Sequence, residues 1–309
     1  MKDNTLKGQS SYRRLPGGNA AILVLMAAGL SVIFAATAPS GEAGKCKQIT
    51  FDPSFDYHCK WSPDGKQIAF ASQRSGAPKI YVIPVDSGEA RPVETGLSGD
   101  HHIGWSPDGK QIVFDANETN GPPNIWILTL DNGQVRKLLP DRGPNFHASW
   151  SPDGKWIAFA SGRRGNIDIW KVRTDGTNPV QLTTDAEIDH HPQWSPDGRF
   201  LVFASFRTGN RDVWIMSSEG GQERQMTRYS GKDDHACFSP DGSLIAFTSD
   251  RGGKEDIWIM PVDSGSATCL TVEGKNAWPS WSPDGARLVH SSNRDGQMDL
   301  YVIPISCDN

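Results

Sequence analysis

The side chains best suited to chemistry are histidines that recur at a nearly constant interval. Starting from His58, the next four follow after 44, 45, 44 and 44 residues, at His102, His147, His191 and His235. Trp278 takes the sixth position, 43 residues later. An Asp or Asn stands two residues before each one: Asp56, Asp100, Asn145, Asp189, Asp233 and Asn276. Imidazole and carboxylate groups suit a divalent metal ion, for which neutral histidine is the commonest ligand.

The repeat admits two interpretations. In the first, the five histidines, Trp278 and the carboxylates of Asp56, Asp100, Asp189 and Asp233 form a ligand-binding site at the mouth of a central channel, with His101 and His190 nearby. In the second, each histidine hydrogen-bonds a neighbouring repeat and is part of the framework. Repetition favours the structural role, because an active site is normally asymmetric. Trp278 breaks the pattern and offers an aromatic contact surface at the same mouth.

Three residues after each repeated position lies an aromatic residue that begins a fixed motif, aromatic-Ser-Pro-Asp-Gly. The six copies are Trp61–Gly65, Trp105–Gly109, Trp150–Gly154, Trp194–Gly198, Phe238–Gly242 and Trp281–Gly285. Proline fits the second position of a type I turn, and glycine accepts the positive φ that follows. The motif therefore predicts a tight hairpin turn in every repeat.

Each repeat of about 44 residues contains four short strands separated by turn residues. The second strand, such as 156–160, is apolar on both faces and therefore needs a neighbour on each side. A ring of such sheets meets this need. We predict an all-β fold over residues 44–309, a six-bladed β-propeller of four-stranded antiparallel blades.

The last repeat ends after its third strand, and residues 47–51 match the missing fourth one, with Ile49 aligned on Leu270. The N-terminal strand should therefore complete the last blade and close the ring. The same register brings Cys46 opposite Cys307. We predict a disulfide between them in place of a hairpin turn, and we expect Cys59, Cys237 and Cys269 to be buried small residues.

Residues 1–43 are predicted to be a signal peptide or an uncleaved N-terminal membrane anchor with a short linker. Lys2, Lys7, Arg13 and Arg14 precede an apolar run over 20–38, which is typical of an export signal. The compartment is then periplasmic or extracellular, through either the general or the twin-arginine route. Residues 44–309 carry 27 basic and 34 acidic side chains, a formal net charge of −7. This charge argues against a nucleic-acid partner.

Two further patterns are interpreted as parts of the structural framework of the blades. The pairs Arg163/Asp168, Arg207/Asp212, Arg251/Asp256 and Arg294/Asp299 repeat at five-residue spacing and predict ion pairs within blades. His290 replaces a core phenylalanine and is expected to be a buried histidine whose ring nitrogens are hydrogen-bonded.

The repeats resemble the WD-like β-propeller repeats of the TolB family. The matching residues are His191–Gly198, 203–205, Arg207, 209–214 and 225–227, and the resemblance covers about residues 47–309. It implies the propeller domain without the α/β domain that precedes it in that family. It also implies a role in the cell envelope, with a lipoprotein similar to Pal as one kind of partner.

We therefore expect an exported, non-catalytic and monomeric propeller that binds a protein or peptide and carries no catalytic residue or cofactor. The alternative is a metal-dependent carbohydrate-active enzyme. The similar propeller of the oligogalacturonate lyases implies a divalent metal held in the central channel by histidines.

Overall fold

The structure, a computed structural model, describes residues 46–86, 88–117, 121–140 and 143–305. The predicted export signal, residues 1–43, lies outside this range. Every regular element described is a β-strand, and the strands form six sheets of four antiparallel strands. This confirms the predicted six-bladed propeller. No helix among the described residues is long and apolar enough to cross a membrane.

Blades one to five each use four strands that are consecutive in the sequence. Blade one has β2 (Asp56–Trp61), β3 (Gln67–Ser72), β4 (Lys79–Pro84) and β5 (Arg91–Pro92); blade two has β6 (Ser98–Trp105), β7 (Gln111–Asn117), β8 (Pro123–Thr129) and β9 (Gln134–Lys137). Blade three has β10 (Asn145–Trp150), β11 (Trp156–Ser161), β12 (Asp168–Arg173) and β13 (Val180–Gln181). Blade four has β14 (Asp189–Trp194), β15 (Phe200–Ser205), β16 (Asp212–Ser217) and β17 (Arg224–Gln225); blade five has β18 (Asp233–Phe238), β19 (Leu244–Ser249), β20 (Asp256–Pro261) and β21 (Thr268–Cys269).

Blade six is assembled from both ends of the propeller. It combines β22 (Asn276–Trp281), β23 (Arg287–Ser292) and β24 (Asp299–Pro304) with β1 (Lys47–Gln48). Strand β1 pairs antiparallel with β24, Lys47 opposite Val302. In blade five, Thr268 pairs with Ile259 in the same way, so the predicted register of the closing strand is confirmed.

The cysteines divide between the blade interior and the closure. Cys59 and Cys237 are buried, as expected, whereas Cys269 is half-buried. Cys46 is half-buried beside β1 and forms no disulfide with these three. Cys307 lies outside the described residues, so the Cys46–Cys307 bridge stays a prediction.

The core lies between neighbouring blades. The second strand of each blade is buried on both faces, because one face packs on the preceding blade and the other on the following one. A fully buried phenylalanine marks the centre of this strand in blades one to five, at Phe70, Phe114, Phe159, Phe203 and Phe247.

The repeated motif forms the turn between the first two strands, as predicted. In blade three the backbone N–H of Trp156 donates to Ser151 Oγ at 2.9 Å, and Ser151 Oγ donates to Asp153 Oδ1 at 2.6 Å. Gly154 has a φ of 71°, which glycine adopts without strain. These turns lie at the side of the propeller opposite the histidines.

The four arginines of the predicted ion pairs bind the residue that begins the first strand of their own blade, which is an aspartate in two blades and an asparagine in the other two. Arg207 binds Asp189, at the start of the first strand, with Nη2 and Oδ2 2.9 Å apart, and not Asp212. The cause is the antiparallel pairing, which brings the end of the second strand back to the start of the first. The same bond links Arg74 to Asp56 and Arg251 to Asp233, while Arg163 and Arg294 bind Asn145 and Asn276.

Candidate functional site at the channel mouth

The six repeated positions share an unusual backbone conformation. His58, His102, His147, His191, His235 and Trp278 all have positive φ, between 41° and 59°. Each lies where the register of the first strand against the second shifts by a residue; in blade three, for instance, the shift falls between Phe146 and Ser149. Such a β-bulge re-aims a side chain, here toward the axis. Histidine tolerates this left-handed region better than most residues, whereas a bulky tryptophan rarely occupies it.

The six side chains form a closed circle, called here the histidine ring. Neighbouring ring centroids are 3.9 Å apart for His58 and His102, 4.0 Å for His102 and His147, 3.6 Å for His147 and His191, and 4.3 Å for His191 and His235. Trp278 completes the circle at 5.7 Å from His235 and 4.9 Å from His58. The structure therefore brings these six predicted residues together.

The histidine ring lines a small cavity on the axis, together with residues such as Lys60 and Gln193. The cavity measures about 50 Å³. A buried water needs at least roughly 10–15 Å³ of such space, so the cavity has room for a few waters or a small ion.

The predicted carboxylates do not line this cavity. Asp56, Asp189 and Asp233 are fully buried in the framework ion pairs described above. Burial raises the pKa of all three, although the paired arginines and neighbouring hydroxyl groups oppose that shift. The side chain of Asp100 is outside the described set.

Two other carboxylates, which the sequence pattern did not single out, contact the histidine ring. Asp115 lies on β7 and is 4% exposed, and its carboxylate is 3.0 Å from His102 Nδ1. It also accepts the backbone N–H of His147 at 3.1 Å. Asp234 on β18 is 3% exposed and lies 2.8 Å from His191 Nδ1, with Arg211 as a further partner.

These two residues break the symmetry of the repeat. The position of Asp115 carries Ala71, Ala160, Ala204, Thr248 and Ser291 in the other blades, and that of Asp234 carries Tyr57, His101, Phe146, His190 and Ala277. The sequence feature that could have indicated Asp115 is a carboxylate directly after the apolar run 112–114. Such a group in a buried strand needs a partner, and the partner here is the histidine ring.

Burial sets the protonation of the ring. Loss of solvent lowers the pKa of His58, His147 and His191 well below the usual value, and that of His235 to about 4. Burial works to raise the pKa of Asp234, but the neighbouring imidazoles of His235, His191 and His190 outweigh it, among them His191 through a hydrogen bond, and hold this pKa well below its usual range. The cluster thus combines neutral imidazoles with an ionised carboxylate.

The hydrogen bonds decide which imidazole nitrogens are free. An ionised carboxylate only accepts, so the proton of His191 lies on Nδ1, and Nε2 keeps its lone pair. This Nε2 atom is buried and has no partner among the described residues. In contrast, His235 Nε2 accepts the indole N–H of Trp278 at 3.0 Å.

The other half of the mouth is aromatic. Tyr57 lies beside His58 and Trp278, and its hydroxyl group is 3.0 Å from His101 Nδ1. Phe55 contacts Tyr57 edge to face and is 41% exposed. The site is thus polar along blades two to five and aromatic across blades six and one.

Comparison with known proteins identifies the family. A family model described as the TolB beta propeller domain matches residues 6–119, 100–193 and 185–278. The chain belongs to the TolB β-propeller family. The Tol-Pal system protein TolB of Bordetella pertussis is 39% identical over 61 residues, which are 20% of this chain and 14% of that protein. The matched segment thus spans about a seventh of the curated relative.

Solved structures agree with the TolB-like architecture. A putative TolB from Agrobacterium tumefaciens has a TM-score of 0.68 at 25% identity, covering 82% of this chain and 91% of that one. TolB from Acinetobacter baumannii gives 0.62 at 23% identity, with 82% and 64% covered. An oligogalacturonate lyase in complex with manganese gives 0.59 at 17% identity, with 85% and 93% covered, and this likeness concerns the fold alone.

Proposed function

We propose that this TolB-like propeller is exported to the cell envelope and binds a protein or peptide there without acting on it chemically. The binding surface would be its mouth face, defined as the side that carries the histidine ring. The connections from the fourth strand of one blade to the first strand of the next also lie on this side, because the first strand begins there. Membership of the TolB family supports the envelope location and a polypeptide partner.

The observation that carries the proposal is the distribution of exposed apolar side chains. Among the described residues, the large hydrophobic side chains that are exposed all lie in these connections: Phe51 at 75%, Val272 at 78%, Phe55 at 41% and Ile188 at 37%. Phe51 and Val272 occupy equivalent positions of neighbouring blades. Apolar groups exposed together at one face mark interaction surfaces.

The partner would meet an aromatic patch set in an acidic protein. Aromatic residues are enriched at the energetic centres of protein interfaces, and Phe51, Phe55 and Trp278 supply them here. The formal charge of −7 over residues 44–309 favours a partner segment that carries basic residues. A segment related to a Pal-like lipoprotein is the partner class that the family suggests.

The carbohydrate-enzyme alternative finds less support. Pockets for small organic ligands usually measure about 300–1,000 Å³. The cavity beneath the histidine ring measures about 50 Å³, because the imidazole rings themselves fill the channel. A sugar chain would have to bind above the ring, away from most of its nitrogens.

The test is a quantitative affinity purification from envelope extracts. The double variant Phe51→Ser/Val272→Ser should lose at least ten-fold of the captured partner, while its folding stability stays unchanged because both side chains are exposed. The matched control is Lys110→Ser/Lys155→Ser, which changes two exposed residues in the turns of the opposite face. Equal capture by the wild type and both double variants would contradict the proposal.

A further inference from the structure

We propose that His102, His147 and His191 form a binding site for a divalent transition-metal ion of the zinc type, in which Asp115 and Asp234 position two of the three imidazoles. This goes beyond partner binding, because it assigns a ligand to the axis of the propeller itself.

The candidate ligand atoms of the three histidines lie close to one another. One ring nitrogen from each of the three histidines lies within 4.8 Å of the other two. Two nitrogens on a tetrahedral zinc ion are about 3.4 Å apart, given bonds of roughly 2.0–2.1 Å. Small rotations of the side chains would bring the three nitrogens onto one ion, and the cavity leaves room for water at the remaining position.

A carboxylate lies behind two of the three candidate ligands. Histidines that bind metals usually donate their other N–H to a carboxylate, which fixes the tautomer and the ring orientation. Asp115 faces His102 Nδ1, and Asp234 faces His191 Nδ1. In both histidines Nε2 is then the free nitrogen, and that of His191 is buried without a partner among the described residues.

The six positions of the histidine ring differ in the partners of their side chains. Only the arc through blades two, three and four carries this arrangement in the described structure. His235 Nε2 accepts the indole N–H of Trp278, and His58 Nδ1 has no hydrogen-bond partner among the described residues. Asp115 and Asp234 each occur in one blade of six at their own strand position, and each contacts a histidine of the trio at 3.0 Å or less; Asp234 lies farther from His235 Nδ1, at 3.8 Å. A purely structural repeat would give no reason for these two single acids.

The donor set selects the metal class. Three imidazole ligands suit Zn²⁺, Co²⁺ or Ni²⁺, whereas Mg²⁺ and Ca²⁺ prefer oxygen ligands. A second group, His190, His191 and Asp234, also has its ligand atoms within 4.8 Å of one another. It shares His191 with the proposed site, but Asp234 already binds Arg211 and the backbone N–H of His235. This engagement favours the three-histidine set.

The experiment measures Co²⁺ and Zn²⁺ binding by tag-free protein that has been freed of metal by chelation. We expect one Co²⁺ per chain with the visible absorption bands of a four-coordinate site, displaced by one equivalent of Zn²⁺. His147→Asn should weaken Zn²⁺ binding at least 100-fold, and Asp234→Asn about 10- to 100-fold. Asparagine also tolerates positive φ, so the bulge should be preserved.

Two controls separate the alternatives. His58→Asn changes the equivalent position in the histidine ring, outside the trio, and should change Zn²⁺ affinity less than three-fold. His190→Asn removes the second group together with the 2.7 Å contact between His190 Nδ1 and His191 Nδ1, and should weaken Zn²⁺ binding less than His147→Asn does. If His147→Asn fails to fold by circular dichroism, His102→Asn takes its place. The proposal is overturned if the wild type binds no stoichiometric metal, if His58→Asn weakens binding as much as His147→Asn, or if His190→Asn abolishes it while His147→Asn does not.

Discussion

At the scale of the residue, the β-bulge and the side chain on it contribute separately to the site at the channel mouth. All six blades hold the ring position in the left-handed region, including the blade that carries Trp278. An ordinary residue there is disfavoured by roughly 1–2 kcal/mol. Because the conformation is the same in every blade, it belongs to the propeller framework. The individuality of the site comes from Trp278, Asp115 and Asp234.

His290 offers a residue-scale test of the blade core. It is fully buried where the other blades have phenylalanine, its Nε2 lies 3.3 Å from Arg294, and its Nδ1 has no partner among the described residues. The expectation of a satisfied core histidine is therefore met at one nitrogen only. His290→Phe should raise the free energy of unfolding by about 1–2 kcal/mol at pH 7, because it removes a buried polar atom that lacks a hydrogen bond.

The gain from His290→Phe should increase in acid. Burial lowers the pKa of His290 to about 3, from 6.5 in the unfolded chain. The unfolded state therefore binds a proton below pH 6.5 that the folded state does not, and the wild type loses stability as the pH falls from 6.5 toward 3. Urea unfolding at pH 7 and pH 5 should show the difference between variant and wild type widening by about 2 kcal/mol. A difference that does not depend on pH would contradict the assigned burial.

At the scale of the element, four blades share a hydrogen bond between the third strand and a threonine that lies just after the fourth strand. Thr50 Oγ1 accepts the backbone N–H of Leu300 at 2.9 Å, and Thr183, Thr227 and Thr271 make the same bond in blades three, four and five. The closing strand β1 is thus held like an ordinary fourth strand, although it comes from the other end of the propeller.

This equivalence predicts that the same substitution at Thr50 and at Thr271 lowers the stability of the protein equally. Thr50→Val should lower the free energy of unfolding by about 1–3 kcal/mol, because it leaves the buried N–H of Leu300 without an acceptor. Thr271→Val, which makes the same change inside blade five, should cost the same within experimental error. A much smaller loss for Thr50→Val, measured by chemical denaturation, would mean that β1 contributes little to closure.

Periodic features of the blades could be predicted from the sequence, and the exceptions could not. The hairpin turns, the closing register and the ring positions follow from a constant spacing, because identical units must place equivalent residues at equivalent points. The five-residue spacing predicts an ion pair between Arg207 and Asp212, because spacing alone takes no account of antiparallel strand pairing. That pairing places Asp189 beside Arg207. Asp115 and Asp234 belong to no repeat, so their contacts with the histidines emerge only when six blades surround one axis.

At the scale of the whole molecule, the propeller is closed by β1 and, as predicted from the sequence, by a Cys46–Cys307 disulfide. Such a bridge would close a loop of nearly the whole propeller, for which the chain-entropy model gives about 4–5 kcal/mol. Peptide mapping of the oxidised protein should find these two cysteines linked. Burial raises the pKa of Cys59 to about 12 and that of Cys237 to about 11, so both should resist alkylation in the folded state. Alkylation of both Cys46 and Cys307 would contradict the bridge.

The propeller as a whole separates its two faces by chemistry. One face carries the polar aromatic-Ser-Pro-Asp-Gly turns, and the mouth face carries the histidine ring and the exposed apolar residues. A partner at the mouth would cover the axis, so the proposed metal site and the proposed binding surface would lie next to each other. The mouth face is therefore the proposed contact surface for the partner.

The most direct measurement is photo-crosslinking in intact cells from a single reactive residue placed on either face. A photoreactive amino acid at position 51 or 272 should yield one prominent adduct with an envelope polypeptide. The same residue at position 110 or 155, in the turns of the opposite face, should yield little or none. Equal adducts from both faces, or an adduct from the turns alone, would contradict the account.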